Sequence, residues 1–340
     1  MFDLMHKDTM IYGGFDPAFI DIDIRPLNSS KTGFIKELPE LGSHHSDTIL
    51  DFQPGGNGFN LCRTLAALGR NVTYVGPSST FFEKLIKDNG IQIQIKAIQN
   101  AEVNYTTILN LQDGEVQFNS IQGKLSLESF SEEIIKYYRK SPLKPISNVS
   151  LNPTSIEWVS FLLLSLEDET LLDSLDDSTD PLGMISSCSG TSYEGIIFVD
   201  PSDISHFERI DEFCKILVQL KKFEGEKYLS VNEHELTVLS KHLSKSPREL
   251  ASFLDVPIIL HTSDNVSFYG NEVINLKTKN LVNKVKFVGA GDCFNGAFIH
   301  STLDSHSITD SLSYAIEAAS YLVETGKYPN ALHISKRINS

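Results

Sequence analysis

Residues 288–298, VGAGDCFNGAF, form the stretch that says most about the fold. Gly289 and Gly291 flank Ala290, and glycines adopt backbone angles that are closed to other residues and let a ligand approach the main chain. A run typical of a helix follows them. Because the free N–H groups and the dipole at the start of a helix attract anions, the stretch predicts an anion-binding turn followed by a helix.

Asp292 falls in the first turn of this predicted helix. A carboxylate beside a phosphate site can accept the proton of an attacking hydroxyl during phosphoryl transfer. Aspartate after glycine is also a common N-cap residue. Residues 289–292 alone leave both interpretations of Asp292 open, the general base and the helix cap.

A second glycine-rich stretch lies upstream, at residues 54–69, PGGNGFNLCRTLAALG. Gly55 and Gly56 open a loop that brings the backbone close to a ligand, and leucines at helical spacing follow as far as Gly69, which ends the predicted helix. Asn60 carries a hydrogen-bond donor and an acceptor at the start of that helix. Its amide could bind a polyol, or it could cap the helix.

A third stretch, residues 230–236, SVNEHEL, follows a predicted strand. Asn232 and Glu235 are three residues apart, which places them on one face of a helix. An amide and a carboxylate there could order water around Mg²⁺, a cation that keeps much of its hydration shell. Taken alone, the N-x-x-E pattern is most often a pair on the protein surface.

Short apolar runs rich in valine and isoleucine alternate with helical stretches along the chain. The clearest predicted strands are residues 10–12, 72–75, 196–199, 228–231 and 257–260. This alternation indicates an α/β fold built on a parallel sheet. Since ligands of such sheets bind at the carboxyl ends of the strands, we expect functional side chains directly after them. These positions hold Gly13, Gly76, Asp200, Asn232 and His261.

Two segments interrupt this alternation of strands and helices. Residues 18–53 begin with alternating apolar and polar side chains and have no helical period. Residues 104–120 predict a β-hairpin around Asp113-Gly114, a pair that favours tight turns. Together the segments predict either a small sheet outside the main one, such as a lid, or an extension of the edge of the main sheet.

The composition excludes several classes of function. The chain has 340 residues, of which 29 are basic and 44 acidic, for a net charge of −15. Such a surface repels phosphate backbones and anionic lipids, so we expect neither nucleic-acid nor membrane binding. No apolar run reaches the ~20 residues that span a bilayer. The N-terminus lacks the apolar core of a signal peptide and the four cysteines are scattered, so we expect a cytoplasmic protein.

The motifs GGNGFN, NEHE and GAGD, in this order and at these separations, resemble those of the ribokinase (PfkB) family of carbohydrate kinases. The resemblance extends roughly from Gly13 to Ala319, nearly the whole chain. It implies a ribokinase-like three-layer α/β fold with a central, mostly parallel sheet between helices. It also implies a small β-sheet lid over the sugar, which segments 18–53 and 104–120 would supply within a single domain of residues 1–340.

The resemblance implies ATP-dependent transfer of the γ-phosphoryl group to a hydroxyl of a sugar or sugar-like alcohol, with Mg²⁺ as the cofactor. Asp292 matches the catalytic base of the family. Gly289, Ala290 and Gly291 match its anion hole, whose N–H groups stabilise charge on the transferring phosphoryl group.

Further positions match the binding motifs of the family. Asn232 and Glu235 match the motif that organises Mg²⁺ and phosphate. The substrate loop is matched by Gly55, Gly56 and Asn60. The residues expected to contact the nucleotide are Asn232, His261, Ser263 and Gly291.

The family usually places an aspartate five residues after a strand-ending glycine near the N-terminus, and this register gives Ala18 or Phe19 here. We therefore take Asp16 as the first candidate for contact with a sugar hydroxyl and Asp21 as the second.

The chain also departs from the family pattern. Lys286, Phe287 and Val288 stand where the family often has Asp-Thr-x before GAGD. The family often has Thr-x-Gly-x-x-Gly near the nucleotide, whereas residues 261–266, HTSDNV, contain no glycine. The nucleotide side therefore departs further from the family than the sugar side.

Three further expectations concern the acceptor, the activity and the assembly of the protein. We favour a sugar as the acceptor over a nucleoside, for which the lid would need an aromatic slot at Phe19, Phe34 or Tyr105. A non-catalytic sugar- or nucleotide-binding protein that kept the kinase fold is the alternative from another class. A β-lid with apolar positions often pairs with another copy, so a homodimer through the lid is a further expectation.

Overall fold

The structure, a computed structural model, describes residues 8–12, 18–26, 48–97, 103–111, 114–120, 157–158, 196–201, 204, 210–219, 221, 226–281 and 284–338. Asp16, Phe34 and Asp113 lie outside the described residues, so the structure does not test the predictions that rest on them. No helix in the described part of the chain combines the length and the apolar character that a membrane span requires.

The described strands are, in chain order, β1 (Asp8–Tyr12), β2 (Phe19–Pro26), β3 (Thr48–Gly55), β4 (Asn71–Gly76), β5 (Ile93–Ala97), β6 (Asn104–Leu111), β7 (Gly114–Ser120), β8 (Glu157–Trp158), β9 (Ile196–Val199), β10 (Glu226–Val231), β11 (Ile258–His261), β12 (Asn265–Tyr269) and β13 (Val273–Lys277). The described helices are α1 (Asn57–Ala67), α2 (Thr80–Asp88), α3 (Ile210–Gln219), α4 (Glu233–Leu243), α5 (Pro247–Leu254), α6 (Ala290–Leu303), α7 (Ile308–Thr325) and α8 (Ala331–Ile338).

The central layer is mostly parallel. Strands β1, β4 and β5 form one parallel sheet, and β8 to β11 form another that continues antiparallel through β12 and β13. The two sheets adjoin, because β1 lies beside β8. All five strands predicted from the sequence are present, as β1, β4, β9, β10 and β11, and the predicted α/β class is confirmed.

Helix α6 is buried on every side of its middle turns, from Asp292 to Ile299. It packs against α1 at Gly296, where an added Cβ would lie 2.8 Å from Cβ of Thr64 and 3.0 Å from the carbonyl oxygen of Leu61. Only a residue without a side chain permits so close an approach. The contact brings the start of α1 to the start of α6, where the predicted site residues lie.

The two segments that interrupt the alternation pair with each other in a separate four-stranded sheet, in the order β3-β2-β6-β7. This sheet is distinct from the two central ones, so the described strands do not extend the edge of the main sheet. The predicted hairpin is present as β6 and β7. Gly114 pairs with Leu111 as the first residue of β7, so it belongs to the strand and not to the turn expected at Asp113-Gly114.

Candidate active site

Asp292 lies in the first turn of α6, but it does not cap the helix. The N-cap is Gly289, which has a φ of 79° and contributes no side-chain cap. The carboxylate of Asp292 is 7% exposed, and its Oδ2 accepts a hydrogen bond of 2.9 Å from Nδ2 of Asn60. Of the two interpretations left open by the sequence, the cap is therefore excluded for Asp292.

The turn before α6 directs backbone N–H groups beside Asp292. The N–H of Ala290 donates to the carbonyl of Phe287 at 3.1 Å. The N–H groups of Gly291 and Asp292 belong to the first helical turn, which has no intrahelical acceptors for them. Together with the positive end of the helix dipole, they can bind an anion. Of the three residues predicted as an anion hole, Ala290 thus has its N–H bonded to a backbone carbonyl, whereas the N–H of Gly291 belongs to the first helical turn.

Both ends of the Asn60 amide are hydrogen-bonded to other side chains of the protein. Nδ2 donates to Asp292, and Oδ1 accepts from the hydroxyl of Tyr328 at 3.0 Å. The guanidinium of Arg63 lies over the Tyr328 ring, 4.4 Å from its centroid. The sequence predicted that Asn60 contacts the substrate or caps α1, whereas the structure engages its amide with Asp292 and Tyr328.

A second series of hydrogen bonds, from a hydroxyl through an amide to a carboxylate, lies nearby. The hydroxyl of Ser230 donates to Oδ1 of Asn295 at 2.7 Å, and Nδ2 of Asn295 donates to Oδ2 of Asp200 at 2.8 Å. Asp200 is 8% exposed and follows β9, at the strand end where the sequence predicted a functional side chain. A second buried carboxylate is thus held close enough to Asp292 to act on its charge.

Asp21 of β2 reaches the same region, whereas Asp16 is outside the described residues. The side chain of Asp21 fills the space beside Gly55, where an added Cβ would lie 2.1 Å from Oδ2 of Asp21. Gly56 follows with a φ of 99° and precedes α1. Gly55 of the predicted substrate loop therefore makes room for the carboxylate of Asp21, which is the second candidate for a sugar contact.

The surroundings of Asp292 disfavour its charged form. Burial raises the pKa of its carboxyl well above the usual range, and the negative charge of Asp200 raises it further. The hydrogen bond from Asn60 lowers the pKa of Asp292, the charge of Asp21 raises it, and the charge of Lys286 lowers it. A carboxylate with a raised pKa is a stronger proton acceptor, as a general base requires.

Lys286 stands where the resembled family has an aspartate, and it connects two parts of the site. Its Nζ lies 3.5 Å from Oε1 of Gln53 on β3, and its charge acts on Asp292. Nε2 of Gln53 donates in turn to Asp51 at 3.3 Å. The departure noted in the sequence therefore places a cation beside the candidate base.

A cavity of about 470 Å³ opens on the other side of the GAGD turn. The four residues predicted to contact the nucleotide all line it, namely Asn232, His261, Ser263 and Gly291. Ala290 of the GAGD turn lines it as well, so the cavity ends at the N-terminus of α6. The structure thus brings these four residues together beside the candidate anion hole.

The turn at residues 261–265 closes without glycine. The hydroxyl of Thr262 accepts from the N–H of Asp264 and of Asn265, at 3.2 and 3.0 Å, and lies 3.0 Å from the carbonyl oxygen of Asn265, to which it can donate. None of residues 261–265 has a positive φ. The two glycines that the family pattern places here are therefore not needed for this backbone path.

His261 lines the cavity as a neutral ring. Burial lowers the pKa of its imidazole to about 4. The ring packs on Phe294, with 5.5 Å between the centroids, and its Cε1 would lie 3.4 Å from a Cβ added at Gly291. His261 is therefore in contact with the turn that carries the candidate anion hole.

Asn232 and Glu235 form a reciprocal capping box at the start of α4. Oδ1 of Asn232 accepts from the N–H of Glu235 at 2.9 Å, and the two carboxylate oxygens of Glu235 accept from N and Nδ2 of Asn232 at 2.8 and 2.6 Å. Within the described residues, no group of three or more histidine, cysteine, aspartate and glutamate side chains could hold a metal ion. The structure explains this pair as a cap, and its metal role stays a prediction.

The structure describes two of the three aromatic residues proposed for a nucleoside slot, Phe19 and Tyr105. Tyr105 packs against the hydrophobic core, with Ile20 as its register partner on β2. Phe19 is on the same face of β2 as Asp21, since side chains alternate along a strand. Of the three candidate aromatic residues, the described part of the chain leaves Phe19 on the face that carries Asp21.

The fold defines the class of protein to which the chain is similar. A nucleoside kinase of Methanocaldococcus jannaschii, an archaeal member of the ribokinase family, is 15% identical with a TM-score of 0.63, over 98% of both chains. Ribokinase of Thermotoga maritima is 18% identical with a TM-score of 0.66, over 98% of this chain and 99% of the other. Ribokinase of Cryptococcus neoformans var. grubii, solved with ADP, is 19% identical with a TM-score of 0.61, over 97% and 99%. The chain has the ribokinase fold.

A family model also matches part of the chain by sequence. Residues 218–332 match the pfkB family of carbohydrate kinases. This stretch includes Asn232, His261 and the GAGD turn. No curated protein matches the chain by sequence. The resemblance to ribokinase (PfkB) family carbohydrate kinases is therefore confirmed, by sequence over residues 218–332 and by fold along nearly the whole chain.

Proposed function

We propose that this protein is an ATP-dependent kinase that transfers the γ-phosphoryl group to a hydroxyl of a sugar, with Asp292 as the general base. The observation that carries the proposal is the position of Asp292. Its buried carboxylate follows Gly291, which lines the cavity that would hold the nucleotide. Among the described residues, its hydrogen bond to the protein is made by Oδ2, which leaves Oδ1 to face an acceptor.

The proposed reaction uses the two oxygens of Asp292 differently. The acceptor hydroxyl would give its proton to Oδ1 while its oxygen attacks the γ-phosphorus, and the bond to the bridging oxygen of ATP would break to release ADP. The N–H groups of Gly291 and Asp292 would bind oxygens of the transferring group. General-base assistance typically contributes ~10²–10⁴ in rate.

A sugar fits the acceptor side better than a nucleoside. The carboxylate of Asp21 can accept hydrogen bonds from hydroxyl groups, and Gly55 and Gly56 let a small polyol approach the backbone. Of the two aromatic candidates that the structure describes, Phe19 is on the face of Asp21 and Tyr105 is on the other. We therefore take a sugar as the acceptor and a nucleoside as the second candidate, with the sheet of β2, β3, β6 and β7 as a lid of the same domain.

The cavity lined by Asn232, His261, Ser263 and Gly291 would bind ATP. Ribokinase-family structures of this fold contain ATP or ADP and Mg²⁺. With both Glu235 oxygens bonded to Asn232, Mg²⁺ would be held here through water and nucleotide phosphates, and when bound it supplies neutralising charge on those phosphates. The scattered free cysteines suit a reducing compartment, so we also propose a cytoplasmic location.

The first test is consumption of ATP or ADP with Mg²⁺ and pooled sugars and nucleosides, with Asp292→Asn measured in parallel. We expect acceptor-dependent turnover that falls at least ~10²-fold in the variant, with nucleotide binding kept. Asp255→Asn, an exposed carboxylate after α5, is the control. Near-normal turnover of Asp292→Asn would refute the role of Asp292.

A non-catalytic binding protein is the second candidate, and the departure of residues 261–266 from the family pattern near the nucleotide is the feature that favours it. Thr262 keeps the turn closed, so the departure concerns the side chains offered to the nucleotide and not the backbone path. This candidate predicts nucleotide binding by calorimetry together with no turnover for any acceptor in the pool. Turnover with any acceptor would exclude it.

We further propose that the lid pairs with the lid of a second copy. On the face opposite Asp21, large apolar side chains are exposed, among them Leu50, Phe52 and Phe118, at 53%, 36% and 57%. Phe118→Glu should convert a dimer into a monomer in sedimentation, whereas Phe253→Glu, the same change at an exposed phenylalanine of α5, should not. A monomeric wild-type protein would contradict this proposal.

A further inference from the structure

We propose that Tyr328 is a positioning residue for the reaction, which fixes the orientation of the Asn60 amide and through it the carboxylate of Asp292. The hydroxyl of Tyr328 lies 3.0 Å from Oδ1 of Asn60, and Nδ2 of Asn60 lies 2.9 Å from Oδ2 of Asp292. Tyr328 follows α7, 268 residues from Asn60 in sequence, and no motif of the sequence points to it. The inference rests on the proposed function of Asp292 as the base.

The amide of Asn60 could in principle face Asp292 with either end. An ionised carboxylate accepts hydrogen bonds and cannot donate one, so it requires the NH₂ end of the amide. The oxygen end then faces Tyr328, which has to donate. Burial raises the pKa of the Tyr328 hydroxyl above its usual range, against the lowering effect of Arg63 and with small raising effects from Cys293, Asp292 and Asp21. Tyr328 therefore stays a donor throughout the working pH range.

This orientation has a consequence for where the proton goes. With Oδ2 of Asp292 occupied by Asn60, the incoming proton is directed to Oδ1. The donated hydrogen bond also stabilises the ionised form, in opposition to burial and Asp200. Loss of the orientation should therefore misplace the base and weaken its ionised form.

The pair of Tyr328 and Asn60 also abuts the anion-hole turn. A Cβ added at Gly289 would lie 3.2 Å from the hydroxyl of Tyr328 and 3.4 Å from Nδ2 of Asn60. The Tyr328 ring is held separately, by the guanidinium of Arg63 above it. Removal of the hydroxyl alone should therefore leave the ring in place and affect the amide.

The test is Tyr328→Phe, measured with the acceptor found for the wild-type protein. We expect kcat to fall roughly tenfold or more, because a hydrogen bond that orients a charged group is lost, with little change in the KM of either substrate. The acid limb of the pH profile of kcat/KM should move to higher pH, since a group that lowers the pKa of Asp292 is released. Tyr321→Phe is the matched control, because it removes a hydroxyl that contacts His333.

Asn60→Asp is the second variant, chosen in case Tyr328→Phe unfolds. The new side chain can still accept from Tyr328, but it cannot donate to an ionised Asp292. We expect a larger loss of kcat and a larger move of the acid limb to higher pH. Thermal unfolding and nucleotide binding of each variant show whether the fold is intact.

The outcomes separate this inference from the proposed function. An unchanged kcat and acid limb in folded Tyr328→Phe, or a change in KM alone, would overturn the positioning role while Asp292→Asn stays inactive. Full activity of Asp292→Asn would instead refute the proposed function. An acid limb that Asn60→Asp leaves in place would also overturn the inference.

Discussion

The two turns that flank the cavity are built in different ways. The turn before α6 depends on a glycine with left-handed backbone angles, Gly289, packed against Asn60 and Tyr328. The turn at residues 261–265 has no glycine, and the hydroxyl of Thr262 closes it at ordinary angles. The difference indicates that glycine is required where φ is positive and a neighbour is close, whereas a hydroxyl can hold a turn elsewhere. The turn before α6, beside the proposed base, should therefore tolerate substitutions less well than the turn at residues 261–265.

The largest effect is expected for Gly289→Ala. The left-handed conformation costs a non-glycine residue roughly 1–2 kcal/mol, and the new Cβ would press on Tyr328 and Asn60. The Tyr328 hydroxyl would have to move by a few tenths of an ångström. Because a displacement near 1 Å can cost ~10²-fold in rate, we expect kcat to fall roughly tenfold. Steady-state kinetics and thermal unfolding measure the two effects.

Gly69→Ala is the matched control for this comparison. Gly69 also has a positive φ, 94°, but a Cβ there would meet nothing within 4 Å. We expect a similar loss of stability from the backbone, roughly 1–2 kcal/mol, without a loss of kcat. Equal kinetic losses in the two variants would show that strain, and not contact with Asn60 and Tyr328, governs the base side.

A smaller effect is expected on the nucleotide side, for Thr262→Ala. Loss of the hydroxyl frees the N–H groups of Asp264 and Asn265, so the turn should become less ordered. At about 1 kcal/mol for a hydrogen bond, we expect the KM for the nucleotide to rise roughly 3- to 10-fold with kcat nearly unchanged. Thr262→Ser, which keeps the hydroxyl, should behave as wild type, and a large fall in kcat would contradict the contrast between the two turns.

Asp200→Asn tests the electrostatics of the base side. The charge of Asp200 raises the pKa of Asp292, so its removal should lower that pKa. Since the base acts in its ionised form, the acid limb of kcat/KM should move to lower pH, while Asp255→Asn should leave it in place. If the acid limb of kcat/KM in Asp200→Asn is unchanged or moves to higher pH, Asp292 is not the titrating group.

The last prediction concerns stability in acid and not activity. His261 has a pKa of about 4 in the folded state, against about 6.5 when unfolded, so only the unfolded chain takes up a proton between these values. This contribution to stability is complete above pH 6.5 and is lost as the pH falls toward 4, with a slope of up to ~1.4 kcal/mol per pH unit. Asp292, whose pKa is raised, acts in the opposite direction.

Urea unfolding between pH 7 and pH 5 measures this slope. His261→Gln should lose less stability on acidification than the wild-type protein, because one of its titrating groups is gone. His300, whose pKa burial also lowers to about 4, should keep part of the slope in that variant. His234→Gln, at an exposed position, is the control, and an equal slope in His261→Gln and wild type would contradict the prediction.

The sequence was sufficient for features that depend on local pattern. The apolar runs gave the parallel strands, and the glycine-rich stretches gave the starts of α1 and α6, because period and turn chemistry are local. The N-x-x-E pattern at Asn232 and Glu235 is itself a capping-box signature, so its structural role was also within reach.

The remaining site features depend on contacts between distant parts of the chain. The role of Tyr328 requires the end of α7 to meet α1, and the orientation of Asn60 requires α1 to meet α6 at Gly296. No local pattern encodes either contact. The closure of the turn by Thr262 was missed for a different reason, since the absence of glycine was interpreted as a loss and not as a replacement.

The hydrogen bonds that hold Asp292 span most of the chain, because Asn60 is 232 residues from Asp292 and 268 residues from Tyr328 in sequence. Contacts of such separation form late in folding, because the entropy of closing long loops has to be overcome first. A chain that has formed its helices and hairpins would still lack an oriented base. The proposed site should therefore be complete only in the finished fold, and a partly folded molecule should lack the proposed activity.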